Sequence, residues 1–236
     1  MKRYATIVSM AVFITLVSSA GAFATTTTDL LEAPIPTVMD YGEWEYGVRA
    51  RISEDIAKGR FFTNSIHGSP FRNLEVGATW NLNRPIGPFA WGAKYQILDN
   101  QRDNDFISLA VGIDNITGIT GEGETDPQPY VVASRDFGSL TAYVGYIHFD
   151  GNDNNIYGGL NWRWNDRWQI RGEYVGTQEN EEAIISGGIR YKWIKHVDLG
   201  AWVSNDSFTD DTIITLEFAL RGDLRDLTLD ADSITY

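Results

Sequence analysis

The sequence predicts an all-β protein, an antiparallel up-and-down transmembrane β-barrel of about 12 strands, with 10 to 14 compatible with the same pattern. Three observations predict it. Short stretches alternate apolar and polar residues; in residues 73–82, Leu74, Val76, Ala78 and Trp80 point one way and Glu75, Gly77, Thr79 and Asn81 the other, a period of two that gives a strand two unlike faces. Tryptophan and tyrosine cluster at the ends of these stretches, where a membrane interface would satisfy both the apolar ring and its polar N–H or O–H. Beyond the first 24 residues, no run approaches the ~18 apolar residues a spanning helix needs, so any crossing must be made by strands.

The elements follow in order. Residues 1–24 carry Lys2 and Arg3, an apolar run from Ala5 to Val17, and small residues around Phe23, the pattern of an export signal cleaved after about Ala24. Residues 25–41 contain Ala33-Pro34-Ile35-Pro36 and read as a periplasmic lead. Strands are expected at 42–52, 60–68, 73–82, 89–97, 105–113, 129–136, 139–149, 155–164, 167–175, 183–193, 196–204 and 212–221. Tight connections such as Phe137-Gly138 and Asn165-Asp166 alternate with longer ones such as 114–128, as periplasmic turns alternate with external loops. No linker divides residues 42–221, which form one barrel domain. Residues 222–236 form a periplasmic tail, with Leu227 and Leu229 leaving room for one more strand.

Removing Lys2 and Arg3 leaves 17 basic against 32 acidic residues, a net charge of −15 that offers no basic surplus for a nucleic-acid partner. There is no cysteine, hence no disulfide, thiolate metal site or lipid-bearing cysteine.

On the outward face, Trp44, Trp162, Trp164, Trp168 and Trp193 fall near the periplasmic rim. Trp80, Trp91, Tyr130, Tyr146 and Tyr174 fall near the external one. Val48, Val76, Ala93, Leu109, Val111, Val144, Leu160, Ile170, Ile189, Leu199, Leu216 and Phe218 lie between and would meet acyl chains. A soluble sandwich or lipocalin-like barrel would use the same residues as an interior core. Against it stand eight glycines on the opposite face, Gly47, Gly77, Gly92, Gly112, Gly145, Gly159, Gly188 and Gly200, which a solvent-facing strand has no reason to carry and a narrow lumen does.

The inward face holds Glu43, Glu45, Glu75, Glu173, Asp198 and Glu217 with Arg49, Arg51, Lys94, Arg135, Arg163, Arg171, Arg190 and Arg221. In a ring of twelve the third strand lies opposite the ninth, so Glu45 and Glu75 are expected to face Arg163, Arg171 and Arg190 as an acidic and a basic wall lining a pore, with Glu217 among them. Either the transverse field selects polar solutes, or the long side chains meet as ion pairs and close the tube.

External loops carry Glu54, Asp55, Glu122, Glu124, Asp126, Asp150, Asp153, Glu179, Glu181, Glu182, Asp206, Asp210 and Asp211. Asp150-Gly151-Asn152-Asp153-Asn154 could gather divalent cations, though its spacing is not that of an EF-hand loop. Catalysis has one candidate, His67-Gly68-Ser69, whose spacing resembles the His-x-Ser of outer-membrane phospholipase, but Pro70 follows and no asparagine is placed to orient the histidine. His148 and His196 sit at strand ends as surface groups. No metal-ligand or phosphate-loop spacing occurs, so no metal or cofactor is expected, nor an enzyme.

From Pro34 to Leu82 the order of features, Ile35-Pro36-Thr37-Val38, then Gly42-Glu43 with Gly47 and Arg49, then Arg72-Asn73-Leu74-Glu75-Val76-Gly77, resembles the opening of the YjbH-like outer-membrane proteins. That resemblance implies a passive outer-membrane role near an extracellular polysaccharide. Oligosaccharide-specific porins also have about twelve strands, with a strongly basic lumen where this one is mixed. The expectation is a monomer in the outer membrane of a diderm bacterium, in contact with lipid and lipopolysaccharide. It would pass small polar solutes or a sugar polymer, or else stand as a closed structural barrel whose acidic loops bind partners, cations or surface polymers. Lipid hydrolysis is the least favoured reading.

Overall fold

Twelve antiparallel strands close into one barrel in which each strand pairs with its sequence neighbours and the last returns to the first. The computed structural model describes residues 33–53, 60–81, 90–103, 105–116, 127–148, 154–176, 183–205 and 212–225. The strands are β1 (Glu43–Ser53), β2 (Arg60–Phe71), β3 (Leu74–Asn81), β4 (Ala90–Leu98), β5 (Ser108–Ile116), β6 (Gln128–Phe137), β7 (Leu140–His148), β8 (Asn154–Arg163), β9 (Trp168–Val175), β10 (Ile184–Ile194), β11 (Val197–Asn205) and β12 (Thr212–Asp223). Closure runs from Glu43 opposite Asp223 to Ser53 opposite Ile213, so neither end strand is left with an open edge.

The turns at one end are short because their residues suit tight reversal. Asn73 and Gly138 take positive φ, 66° and 71°, between β2 and β3 and between β6 and β7. Between β8 and β9, the Asn165 Oδ1 accepts the N–H groups of Arg167 and Trp168 at 2.9 Å. The β4–β5 connection, residues 99–107, is the longest at this end; Asp99 Oδ1 accepts the N–H of Gln101 at 2.9 Å and of Arg102 at 3.2 Å.

Side chains separate by parity. Ile66, Val76, Val111, Val144, Leu160, Ile170, Ile189, Leu199, Leu216 and Phe218 lie exposed on the outside, while Glu75, Lys94, Gln96, Ser134, Arg171, Glu173, Arg190 and Glu217 are buried inside. An apolar exterior around a charged interior is the reverse of a soluble barrel and matches a wall solvated by lipid. The inward glycines make room for inward rings: a Cβ on Gly112 would run into Tyr130, one on Gly145 into Tyr157, and one on Gly188 into Trp202.

One strand has the opposite facing from that expected. In β6, Tyr130, Val132 and Ser134 are buried in the lumen, and Arg135 stands outside with its guanidinium carbon 3.5 Å from the centre of the Phe106 ring and 5.3 Å from that of Phe137. The sequence Tyr130-Val131-Val132-Ala133 has apolar residues at both parities, so nothing local fixed the facing, and a slip of one residue turns every side chain over. Tyr130 therefore belongs to the lumen and not to a rim girdle, and Arg135 is not inward.

Candidate functional site

The candidate site is the lumen. It is built by alternate residues of the strands and by one further segment, residues 33–41. The Ala33 N–H donates to Glu173 Oε2 at 3.3 Å, and Ala33 packs among Ala110, Tyr130, Val132, Ile147 and Tyr157. The Met39 N–H donates to Glu75 Oε2 at 3.2 Å. The lead expected beneath the barrel therefore has its residues 33–39 inside it. Pro34 and Pro36 have no N–H, so the stretch makes an isolated bridge at Pro34 and does not extend it into a strand.

Strands β9 to β12 and β1 bring the expected charges together. Arg190 Nη2 lies 3.2 Å from Glu45 Oε2 and 3.2 Å from Asp198 Oδ2. Arg221 reaches Glu45 at 2.6 Å and Asp198 at 3.4 Å. Glu217 accepts the indole N–H of Trp202 at 3.3 Å, and Arg171 lies 5.8 Å from the centre of the Trp202 ring. Two arginines share two carboxylates, so each buried charge has more than one partner of opposite sign, the condition for holding it away from bulk water. Glu45 is thus part of the basic quarter and does not face it across the lumen. Glu75 alone stands on the opposite wall, fully buried, with Lys94 Nζ at 3.6 Å and His67 Nδ1 at 4.0 Å.

At the short-turn end a cavity of about 430 Å³ is lined by Arg163, Arg167, Arg171, Arg190, Lys192 and Arg221, with Asp166 and Asp198 as its only acids. Six cations line it against two carboxylates, and with Glu45 held by Arg190 and Arg221 just beyond the lining the mouth keeps a local surplus of positive charge. A second cavity, about 590 Å³, lies between residues 35–39 and a wall that includes Glu45, Arg171, Arg190, Glu217 and Arg221. Of the residues expected to line a pore, Glu45, Glu75, Arg171, Arg190 and Glu217 are buried inward, and Arg163 stands exposed at the mouth.

Lys192, Arg167 and Trp202 were missed from the sequence. Lys192 shares the parity of Arg190 and Trp202 that of Gly200, so two of the three had a readable signal. Arg167 comes from a turn, where parity says nothing.

Trp91, Trp162, Trp164 and Trp193 are exposed on the outer surface. Trp168 packs on Tyr191 with ring centres 4.5 Å apart, Trp80 lies 6.4 Å from Tyr46, and Trp44 covers Gly222. His67 and Ser69 form no nucleophile–base pair: the Ser69 hydroxyl contacts the carbonyls of Phe71 and Leu74 at 2.9 and 3.0 Å, and His67 faces Glu75. The acidic loop residues, the export signal, residues 25–32 of the lead and residues 226–236 lie outside the described residues.

No family model and no curated protein matches the chain. Among solved structures it is similar to the KdgM porin, with 15% identity and a TM-score of 0.56 over 75% of this chain and 98% of that one. A second structure of that porin is described as a complex with disordered oligogalacturonate and matches equally well, at a TM-score of 0.56 and 14% identity. The Acinetobacter baumannii outer membrane protein Omp33 follows, with 10% identity and a TM-score of 0.51 over 78% of this chain and 99% of that one. At these identities the likeness concerns the fold: a closed twelve-strand barrel of the kind found in bacterial outer-membrane porins.

Proposed function

We propose that this chain is an exported outer-membrane channel for small anionic solutes, acidic oligosaccharides foremost, working without catalysis. The observation that carries the reading is the mouth lined by six cations and two acids, at the end whose short turns face the periplasm in such barrels. A carboxylate on each sugar would exchange water for guanidinium groups, whose planar fork suits it, while no single pair need bind tightly enough to stop passage. The chain's strong overall acidity makes the local reversal of sign more telling, since the basic side chains are concentrated where a solute would leave the tube. Oligogalacturonate, found with the KdgM porin, has this chemistry, as does an acidic extracellular polysaccharide. The barrel would act as a monomer, its outer face against lipid and lipopolysaccharide.

The mature protein, refolded and inserted in a planar bilayer under a salt gradient, should give a reversal potential on the anion side. A cation-selective pore would overturn the proposal. A second reading, a closed structural barrel, is favoured by one observation: residues 33–39 occupy the lumen.

A further inference from the structure

We infer that residues 33–41 form a removable strap, a built-in gate that closes the lumen and swings out on Gly42 to open it. The inference rests on the channel reading above.

The placement is across the tube. One end of the strap is tied to Glu173 on β9 and the other to Glu75 on β3, and in a closed ring of twelve these two strands stand opposite. Six extended residues reach roughly 20 Å, the order of the backbone diameter of twelve strands spaced ~4.8 Å apart. Val38 is 3% exposed and Ala33 2%, so the strap is packed in and not lying loose.

The attachment is by points and not by a ladder. The strap makes one isolated bridge, at Pro34, and runs in register with no strand of the barrel; Pro34 and Pro36 lack the N–H that a continued ladder would need. Its ties to the wall include the two N–H···carboxylate bonds and the ion pair of Asp40 with Arg102 of the β4–β5 turn. Its base is fixed: the Gly42 N–H donates to Ser69 O at 2.9 Å, and the Gly42 carbonyl accepts the Leu224 N–H at 2.9 Å. Gly42 has φ of +87°, and a Cβ there would press on Asp223 and Arg225 at 3.2–3.3 Å, so the chain turns from lumen to wall at a residue only glycine suits. A fixed pivot below an arm that is no part of the barrel's ladder allows the arm to leave while the barrel stays closed on itself.

The test compares single-channel currents of the mature protein with those of a chain lacking residues 25–39, which keeps Asp40, Gly42 and every strand. The shortened chain should show larger and longer openings than the full chain. Glu173→Ala, which removes the tie at the far end and leaves the strap in place, should raise the ratio of open to closed time by roughly ten- to a hundredfold, the worth of a hydrogen bond to a charged group. Equal currents and equal open times in all three proteins would overturn the gate while leaving the channel standing. Folded barrels that conduct nothing in any of the three would overturn both. If the deletion does not refold, the Glu173→Ala comparison decides alone, an unchanged open time counting against the strap.

Discussion

Reversing the charge of Arg163 should weaken anion selectivity without harming the barrel. Arg163 is exposed at the end of β8, on the rim of the basic mouth. Arg163→Glu changes the balance there from six cations and two acids to five and three, so the net charge of the lining falls from +4 to +2. A unit charge ~5 Å from an ion's path contributes about 0.8 kcal/mol in water, which screening in 0.1 M salt reduces to about 0.5 kcal/mol. A swing of two units is therefore worth about 1 kcal/mol, roughly a fivefold fall in the local concentration of a monovalent anion. The assay is the reversal potential of open steps in a salt gradient, using the chain without residues 25–39 if wild-type openings are brief. Arg135→Glu is the matched control, because Arg135 lies outside the wall beside Phe106 and Phe137 and has no view of the ion path. A reversal potential unmoved by Arg163→Glu, or moved as much by Arg135→Glu, would show that the basic mouth does not set the selectivity.

Other predictions concern the wall. Lys94 and Glu75 are both fully buried and 3.6 Å apart, so Lys94→Met should destabilise the barrel by about 3–5 kcal/mol in urea unfolding, and Lys94→Met with Glu75→Gln by clearly less. Equal losses would mean that the pair is not coupled. Gly145→Ala should cost about 1–3 kcal/mol because its methyl group meets the Tyr157 ring, and adding Tyr157→Leu should recover part of that loss; no recovery would place the strain elsewhere. Arg135→Ala should cost about 0.5–1 kcal/mol through the lost ring contact at Phe106, read from the same unfolding curves. A cost above that range would show that Arg135 has an inward role after all.

The strands were legible because lipid and lumen impose opposite chemistry on alternate residues. In β3 the sequence Leu74-Glu75-Val76-Gly77-Ala78-Thr79-Trp80 can be threaded only one way, and its observed extent, Leu74–Asn81, differs from the expected 73–82 by one residue at each end. β6 failed because Val131 and Val132 serve opposite faces, and because a tyrosine at a strand end suits a rim while Tyr130 fills the space left by Gly112. That glycine was the available clue: a gap on one strand calls for a ring on its neighbour, and Gly112 pairs with Tyr130 in the β5–β6 register. The site was legible as a set of inward charges but not as partners. Parity says that Glu45 and Arg190 share the interior; it does not say that an arginine side chain three strands away can span the intervening wall to reach a carboxylate. The strap was unreadable for a different reason. Ala33-Pro34-Ile35-Pro36 has no period, and a segment without one carries no sign of whether it lies below a barrel or within it.

The most direct test of an anion-accepting lumen is block of single-channel current by trigalacturonate, added to one side of the bilayer at a time. Brief interruptions that grow more frequent with concentration, that are stronger from the side bearing the basic mouth, and that a neutral trisaccharide of similar size does not produce are the predicted result. Equal block by the neutral sugar, or no block by the acidic one in an open pore, would contradict it.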